Sequence, residues 1–226
     1  MTKKILTVLF VATVFSSGYG QDSSKLFSET KKTSYFIGYS SIQFDNYNNG
    51  NFTKYNNSSA LSLGLEYRFF ERKNHQFTAG ALLNYSTLEY RLNSNFTNTG
   101  AEIFLEVPVK FEYNIALTEK IYVTPSAGLN FSAYLNSEQR NFQNYFYQGG
   151  SYETMIKTKP FSIGGTINIG LNYKTSKGVL GISAGYSTSL NDVYEVNHTN
   201  IDNNSFYSQD LKRKFVTFGL KFTPKK

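Results

Sequence analysis

Several kinds of residue are scarce in this chain, and each scarcity excludes a class of protein. The 226 residues include no Cys and no Trp, only two His and four Pro, and 17% charged residues. The absence of Cys excludes disulfide scaffolds, thiolate zinc sites and cysteine nucleophiles. Beyond the N-terminus, no apolar run approaches the roughly 20 residues that a membrane-spanning helix needs. What the chain has instead is 18 Tyr and 20 Phe, an aromatic content that disordered tails lack.

The N-terminus predicts export. Lys3 and Lys4 precede the apolar stretch 5–15, and small residues follow as far as Gly20. This order is typical of a secretory signal peptide, with cleavage expected after Gly20. Loss of the two signal lysines lowers the net charge from +7 to about +5, and so modest a basic balance gives little support to nucleic-acid binding.

Long alternating segments dominate the rest of the chain. In the clearest of them, 101–116, Ile103 and Leu105 belong to an apolar face, while Glu102, Glu106 and Lys110 fall on the opposite, polar face. Alternation over about fifteen residues far exceeds the usual strand of about five or six. In all we predict eight strands, at 35–44, 59–70, 76–88, 101–116, 121–135, 161–173, 179–190 and 214–222.

The connections between these strands alternate in length. Segments 70–74, 117–120 and 174–177 are short and charged, whereas 45–58, 93–100, 136–158 and 191–210 are long and rich in Asn. Short turns at one end and long loops at the other are typical of barrels that span the outer membrane. Both termini would then lie at the end with the short turns.

The apolar face of such strands has two explanations. In a soluble exported binder of the lipocalin type it would turn inward. Lipid outside is favoured because the strands exceed the roughly nine to eleven residues that cross a bilayer, and because the polar face is rich in Gly, Ser and Asn, which suits a narrow interior. Aromatic residues also gather near the short turns, where they would form an interface girdle. They are Phe69, Phe70, Phe77, Tyr113 and Tyr173.

Two runs carry a family resemblance. Residues 106–114, EVPVKFEYN, and after a tight turn 121–129, IYVTPSAGL, resemble the outer membrane protein β-barrel domain, the "porin-family" group of small barrels with OmpX-like architecture. The last strand, 215–222, is similar to the terminal strand recognised by the barrel-assembly machinery, although four residues follow it. The resemblance implies an all-β, eight-stranded antiparallel up-and-down transmembrane barrel with short periplasmic turns and long extracellular hairpin loops. We therefore expect a signal peptide at 1–20, a short periplasmic segment at 21–32 and the barrel domain at 33–226.

Two prolines lie inside adjacent predicted strands. Pro108 and Pro125 each lack the N–H group that a ladder of a closed barrel needs, and Pro in a sheet is confined to edges and bulges. A turn near Leu117 would bring the two within about two residues of each other across the pair. We predict a local bulge there.

The polar face carries enough charge to fill the interior. An eight-stranded barrel is just wide enough for side chains to fill, and buried charges persist only when paired. We predict a lumen network that plugs the barrel; a narrow conducting pore lined by the same residues is the alternative. Its residues are Glu66, Arg68, Glu102, Glu106, Lys110 and Glu112, with Lys221 on the same face.

The sequence gives little support for a catalytic function. His75 lies beside a short turn and His198 in the last long loop, and neither has a carboxylate at a spacing that indicates a triad. The five Asp lie in loops or the N-terminal tail, and a zinc site lacks ligands. We expect no enzyme, no cofactor and no metal.

The long loops contain hairpin signals. Asn49-Gly50 favours a type I′ turn, and Gly149-Gly150 and the segment 202–204 are placed to close two more hairpins. We predict strands that continue above the membrane and offer edges to a partner; the alternative is solvated loops without a ligand. The aromatic residues displayed for binding would be Phe142, Tyr145, Phe146, Tyr147, Tyr152 and Tyr207.

Basic residues gather at the expected extracellular rim. Phosphates of lipopolysaccharide pair well with Arg and Lys, so we predict lipopolysaccharide contacts at this rim. The residues are Arg91, Lys157, Lys159, Lys212, Arg213 and Lys214.

Together these features favour a monomeric outer-membrane barrel with a largely plugged lumen, which has a structural or binding role through its extracellular loops. The expected partners are outer-membrane lipid and lipopolysaccharide, and an extracellular protein or surface ligand, but no nucleic acid. The alternatives are a narrow pore or transport and secretion accessory barrel, and a soluble lipocalin-like binder.

Overall fold

Strands make up most of the chain that the structure describes. The computed structural model describes residues 29–44, 54–72, 74–93, 96–136, 139–147 and 150–226, so the predicted signal peptide lies outside it. Its strands are β1 (Thr33–Phe44), β2 (Lys54–Arg72), β3 (His75–Asn93), β4 (Phe96–Tyr113), β5 (Ile115–Ala116), β6 (Ile121–Tyr134), β7 (Gln139–Tyr147), β8 (Gly150–Thr158), β9 (Phe161–Thr175), β10 (Gly178–Ser189), β11 (Tyr194–Asn200), β12 (Ser205–Leu211) and β13 (Arg213–Pro224). Among the described residues, no helix is long and apolar enough to cross a bilayer.

Eight of these strands close into one antiparallel barrel. They follow one another around the ring in the order β4, β3, β2, β1, β13, β10, β9 and β6, and the pairing of β4 with β6 closes it. The short β5 continues β4 beyond Asn114 and pairs with β6 in the same register. The predicted eight-stranded antiparallel barrel is confirmed.

The barrel wall sorts its side chains by alternation, because successive side chains of a strand point to opposite faces. On β4, Ile103, Leu105 and Phe111 are exposed outside, whereas Glu102 and Phe104 are fully buried inside. The predicted outward orientation of the apolar face is confirmed, and the lipocalin-like alternative is wrong. A continuous exposed apolar belt of this kind is stable against lipid. Other strands contribute Tyr39, Leu63, Leu83, Ile169, Ile182 and Phe218 to it.

Aromatic rings mark the barrel end that carries the short turns, here called the turn end. Phe69, Phe70, Phe77 and Tyr173 are exposed there. The rings of Phe70 and Phe77 lie 6.0 Å apart, and those of Phe77 and Phe111 lie 5.3 Å apart. This arrangement agrees with the predicted girdle.

The prolines pair without a bulge. Pro108 lies opposite Asn130 of β6, and Pro125 opposite Ile169 of β9, each in an unshifted register. The ladder is interrupted instead: β3–β4 pairing stops at Ala79↔Val109 and resumes at Leu82↔Glu106 in the same register. The predicted bulge is therefore wrong, because a short gap in the ladder accommodates the missing N–H without an extra residue.

Residues 29–32 and the end of β13 close the turn end. Thr30 forms a bridge with Lys225, and the Lys31 N–H donates to the Pro224 carbonyl at 2.8 Å. Arg68 Nη2 reaches from β2 to the carbonyl oxygen of Lys31 at 3.2 Å. Residues near both ends of the described chain thus lie together across one mouth of the barrel.

A second sheet stands at the opposite end, which carries the long connections and is here called the loop end. Its order is β12-β11-β8-β7, and the pairing of β8 with β11 joins the two hairpins β7–β8 and β11–β12. The predicted continuation of strands as hairpins is confirmed at these two loops. The hairpin expected around Asn49-Gly50 lies outside the described residues.

Two asparagine side chains replace backbone partners where the barrel gives way to this loop-end sheet. Asn136 Oδ1 accepts the Ile103 N–H at 2.8 Å, and its Nδ2 donates to the Ala101 carbonyl at 3.3 Å. Asn191 repeats the arrangement, with Oδ1 accepting the Ile163 N–H at 2.7 Å and Nδ2 donating to the Phe161 carbonyl at 3.2 Å. Asn136 lies just beyond the end of β6 and Asn191 just beyond the end of β10, so each side chain supplies hydrogen-bond partners to the edge of the neighbouring strand.

Candidate functional site

Four charged side chains form an ion network in the half of the lumen near the turn end. Lys110 Nζ contacts Glu66 Oε1 and lies 3.7 Å from Glu112 Oε1. Lys221 Nζ lies 2.8 Å from Glu66 Oε2 and 3.4 Å from Glu112 Oε1. Two carboxylates and two ammonium groups balance within this network, which is the condition for stable buried charge.

Neighbouring polar side chains complete the network. Gln76 Nε2 donates to Glu112 Oε2, and Thr78 Oγ1 donates to Glu112 Oε1 at 3.2 Å. The register explains the convergence, because Gln76 pairs with Glu112 and Thr78 with Lys110 on the inward face of β3–β4. The predicted network therefore forms from Glu66, Lys110 and Glu112, with Lys221 as the second cation.

Arg68 belongs to a separate pair nearer the turn end. Its Nε lies 2.7 Å from Glu71 Oε2, and its Nη2 contacts the backbone of Thr30 and Lys31. It thus holds residues 29–32 against the barrel rather than joining Glu66 and Glu112.

Glu102 and Arg213 form the centre of a second cluster in the other half of the lumen. Glu102 is 0% exposed and Arg213 1% exposed. Glu102 Oε1 accepts from Thr158 Oγ1 at 2.7 Å, and Oε2 accepts from Tyr194 OH at 2.6 Å. Arg213 Nη1 lies 3.9 Å from Glu102 Oε2. Thr158 and Tyr194 belong to the loop-end sheet, so this cluster ties that sheet to the barrel wall.

The Arg213 guanidinium also lies in a cage of aromatic rings. Its Cζ is 4.4 Å from the ring centroid of Phe104, 4.3 Å from that of Phe215 and 5.0 Å from that of Tyr134. Cation–π contacts are strongest where the charge is desolvated. The cage and Glu102 together compensate a charge that is almost wholly removed from water.

Apolar side chains surround this cluster and fill the lumen at the loop end. We call them the apolar plug. Half of them belong to β8, β11, β12 and the segment before β11, so the loop-end sheet packs directly against the barrel wall. The barrel wall contributes Ile42, Ala60, Leu88, Phe104 and Tyr134, and the loop-end sheet and its connections contribute Ile156, Val193, Tyr194, Val196 and Leu211.

The lumen holds a cavity of about 130 Å³ that reaches from Phe215, beside the apolar plug, past the ion network to Thr30 at the turn end. This volume is large enough for several waters. Glu106 contributes to its wall, together with the side chains of the ion network, Arg68 and neutral oxygen-bearing side chains. Among the latter are Ser62, Asn84, Asn130, Thr166, Asn168 and Thr217.

Comparison with known sequences identifies the barrel. The sequence profile of the family described as "Outer membrane protein beta-barrel domain" matches residues 22–195. The chain belongs to this family. The barrel therefore lies in the outer membrane, with its turn end in the periplasm, its loop end outside the cell and its apolar belt in the lipid.

Solved structures of similar shape are outer-membrane proteins. OprG from Pseudomonas aeruginosa is 12% identical over 86% of this chain and 97% of its own, with a TM-score of 0.48. The outer membrane protease OmpT from Escherichia coli is 10% identical over 85% and 94%, with a TM-score of 0.42. Ail, the attachment invasion locus protein of Yersinia pestis, is 12% identical over 85% and 99%, with a TM-score of 0.36. No curated protein matches the sequence.

The extracellular rim is less basic than the sequence suggests. Arg213 is not a rim residue, and its predicted contact with lipopolysaccharide is wrong, because its position on β13 faces the lumen. Lys159 Nζ lies 3.0 Å from Asp210 Oδ1 and 4.0 Å from Asp192 Oδ2. Lys157 is exposed and lies opposite Glu195. Lys212 and Lys214 are half-buried, and the side chain of Arg91 lies outside the described part.

The aromatic residues expected to bind a ligand lie on the extracellular sheet, the loop-end sheet named above. The backbone pairs Phe142, Thr154, His198 and Tyr207 in one row across all four strands. Tyr145 pairs with Tyr152 in the next row, and Phe146 and Tyr147 end β7. The side chains of all six predicted aromatic residues lie outside the described part of the structure.

Sequence reasoning missed the apolar plug and the residues that hold it. Val193, Tyr194 and Val196 fall in a connection that the sequence marks as long and polar, so nothing local indicates burial. A signal was nonetheless present for Arg213, because the alternation of the last predicted strand places Phe215 and residue 213 on the same inward face.

His75 stacks between Phe70 and Phe111 of the aromatic girdle, with ring centroids 6.3 and 6.1 Å away.

Proposed function

We infer that the protein is a non-conducting outer-membrane barrel that presents its extracellular sheet for binding. The observation that carries this proposal is the filling of the extracellular half of the lumen by the apolar plug. The ion network crosses the periplasmic half beside a cavity that is large enough for several waters. A passing ion would need a continuous aqueous path, which the apolar plug opposes.

The extracellular layer is costly to open. Moving the sheet away would separate Thr158 and Tyr194 from Glu102 and expose the apolar plug. A buried acceptor that loses its hydrogen-bond donor costs about 1–3 kcal/mol, and Glu102 would lose two donors. This cost favours a permanent closure over a pore that opens readily.

The extracellular sheet supports a binding role through its edges and its aromatic rows. Among the described strands, β7 and β12 are the outermost of the sheet. Outer strands offer unpaired backbone groups to an extended segment of an extracellular protein. The row from Phe142 to Tyr207 and the Tyr145–Tyr152 pair supply the large aromatic residues that dominate protein interfaces.

Planar-bilayer recording tests the closure. The refolded protein, reconstituted beside a general porin as positive control, is expected to give no resolved channel steps. Stable, well-resolved steps from the wild-type protein would show that it is a narrow pore and overturn the proposal.

Selection of peptides from a phage-displayed library tests the binding role. The wild-type protein in lipid nanodiscs is expected to enrich extended, β-favouring sequences, and a variant with Phe142, Tyr145 and Tyr207 all changed to Ser is expected to lose this enrichment. Equal enrichment on both proteins would remove the aromatic rows from the proposal.

A further inference from the structure

The charges of the lumen balance within separate groups, with one exception. Glu66 and Glu112 are paired with Lys110 and Lys221, Arg68 with Glu71, and Glu102 with Arg213. Each of these three groups is neutral. Glu106 alone among the lumen carboxylates has no ion-pair partner within 4.0 Å in the described part of the chain.

Glu106 lies in the lumen between the ion network and the cluster of Glu102 and Arg213. It pairs with Leu82 of β3 and Ser132 of β6, and its side chain contributes to the wall of the central cavity. Lys110 pairs with Glu66 in the ion network, and Arg213 pairs with Glu102 inside the aromatic cage. The cations on either side of Glu106 are therefore already paired with other carboxylates.

A second polar group in the same wall lacks a partner. Asn130 is only 8% exposed, and its buried Oδ1 accepts no hydrogen bond. Asn130 lies opposite Pro108, so it is a diagonal neighbour of Glu106 on the inward face of β4–β6. Diagonal positions lie about 7–8 Å apart at the backbone, within reach of two such side chains for a shared ligand. A buried carbonyl oxygen without a donor costs free energy, and it suits a cation as well as it suits an N–H group.

The chemistry of the cavity selects the kind of cation. Its Asn, Ser and Thr side chains offer neutral oxygen ligands, with Glu106 as the one uncompensated carboxylate. Divalent Ca²⁺ takes about six to eight oxygens, several of them carboxylates, and the described residues contain no group of three or more His, Cys, Asp or Glu that could hold a metal. Because the other charges of the cavity wall are paired, the one uncompensated negative charge matches one alkali cation.

We propose that the central cavity binds a single alkali cation, Na⁺ or K⁺, between the Glu106 carboxylate and Asn130 Oδ1. The cation balances the last charge of the lumen and satisfies the buried amide oxygen. About 130 Å³ leaves room for the ion and a few waters that complete its coordination.

Cation titration of the refolded barrel tests this proposal. The protein in detergent micelles is freed of alkali cations and titrated with NaCl or KCl against N-methylglucamine chloride at constant ionic strength. The sodium NMR linewidth reports binding directly, and the thermal midpoint, read from heat-modifiable gel mobility, rises with ligand occupancy. Saturable broadening and a saturable rise in midpoint are expected for the wild-type protein.

The variants separate this site from surface binding. Glu106→Gln is expected to weaken the apparent cation affinity at least tenfold, and Asn130→Ala to weaken it by a smaller factor. Glu119→Gln, in the exposed turn at 117–120, is the matched control and keeps the wild-type titration. The proposal is overturned if the wild-type linewidth does not saturate, or if Glu106→Gln titrates like the wild type. It is equally overturned if the alkali-saturated wild type shows an infrared band of a protonated carboxyl that disappears in Glu106→Gln, because a proton would then balance the charge.

Discussion

Tyr194 and Glu102 lie 92 positions apart in the chain, and the Tyr194 hydroxyl donates to Glu102 Oε2 at 2.6 Å in a part of the lumen closed to water. Glu102 belongs to the barrel wall and Tyr194 to the extracellular sheet. The bond therefore joins the two parts of the molecule at the apolar plug.

Removing that hydroxyl should loosen the sheet. Tyr194→Phe leaves Glu102 Oε2 without its closest donor, and a buried acceptor that loses its partner costs about 1–3 kcal/mol. We expect a lower urea midpoint in lipid vesicles and faster hydrogen exchange in β11. Tyr186→Phe, on the lipid-facing side of β10, serves as control; an equal loss in both variants would show that the bond to Glu102 is not responsible.

Arg213 should prove to be a stability residue. Arg213→Ala leaves Glu102 buried without a cation and empties the aromatic cage, and we expect a loss of about 3–5 kcal/mol in free energy of unfolding. The double variant Glu102→Gln/Arg213→Met should recover much of this loss, because it removes both charges together. Lys212→Ala, one residue away and half-buried, should change stability little. A loss for Lys212→Ala that matches the loss for Arg213→Ala would contradict the structural role.

Asn136 and Asn191 should each hold a bend at the rim. Asn136→Ala removes two hydrogen bonds to backbone groups and Asn191→Ala removes three, and each bond contributes a net of about 0.5–1.5 kcal/mol. Amide exchange is expected to accelerate at Ile103 in Asn136→Ala and at Ile163 in Asn191→Ala. Asn203→Ala is the control, because Asn203 Oδ1 accepts from the Ser205 N–H within the turn at 201–204 rather than from a barrel strand. Unchanged exchange at both Ile residues would show that the asparagines do not secure the ladder.

Gly128 should tolerate no side chain. A Cβ at this position would lie 2.0 Å from the Val109 carbonyl oxygen and 2.8 Å from Lys110 Cα, so β4 or β6 would have to shift beside the ion network. We expect Gly128→Ala to lower the free energy of unfolding by about 1–3 kcal/mol or to impair folding. A Cβ on Gly165 would have no atom within 4 Å, and Gly165→Ala is expected to be neutral or slightly stabilising. Heat-modifiable mobility and urea titration compare the two; similar stability would contradict the predicted crowding.

The barrel could be predicted from the sequence because its pattern is local and repeated. Ile103 and Leu105 point to lipid because alternate side chains of a strand share a face, and the same holds for Ile167 and Ile169. A period of two can be recognised in each strand on its own. Part of the lumen network could also be predicted, since Glu66, Lys110 and Glu112 share the inward face. Which of them pair with one another depends on the register between strands, which alternation does not specify.

The plug could not be predicted because its partners are distant in the chain. Tyr194 and Val196 look like residues of a polar loop until that loop is seen to pair with β8 and turn one face into the barrel. For Arg213 the local composition conflicts with the strand pattern. Its basic neighbours Lys212 and Lys214 indicate a charged rim, whereas the alternation of the strand places residue 213 on the inward face.

The seven residues of β11 connect the lumen with the outer end of the extracellular sheet. One end of the strand places Tyr194 against Glu102 inside the barrel, and the other end leads into the exposed turn at 201–204. A partner that pulls on or tilts the extracellular sheet therefore loads the same strand that seals the lumen. In the proposed function, binding at the extracellular sheet and closure of the lumen are therefore mechanically coupled through β11.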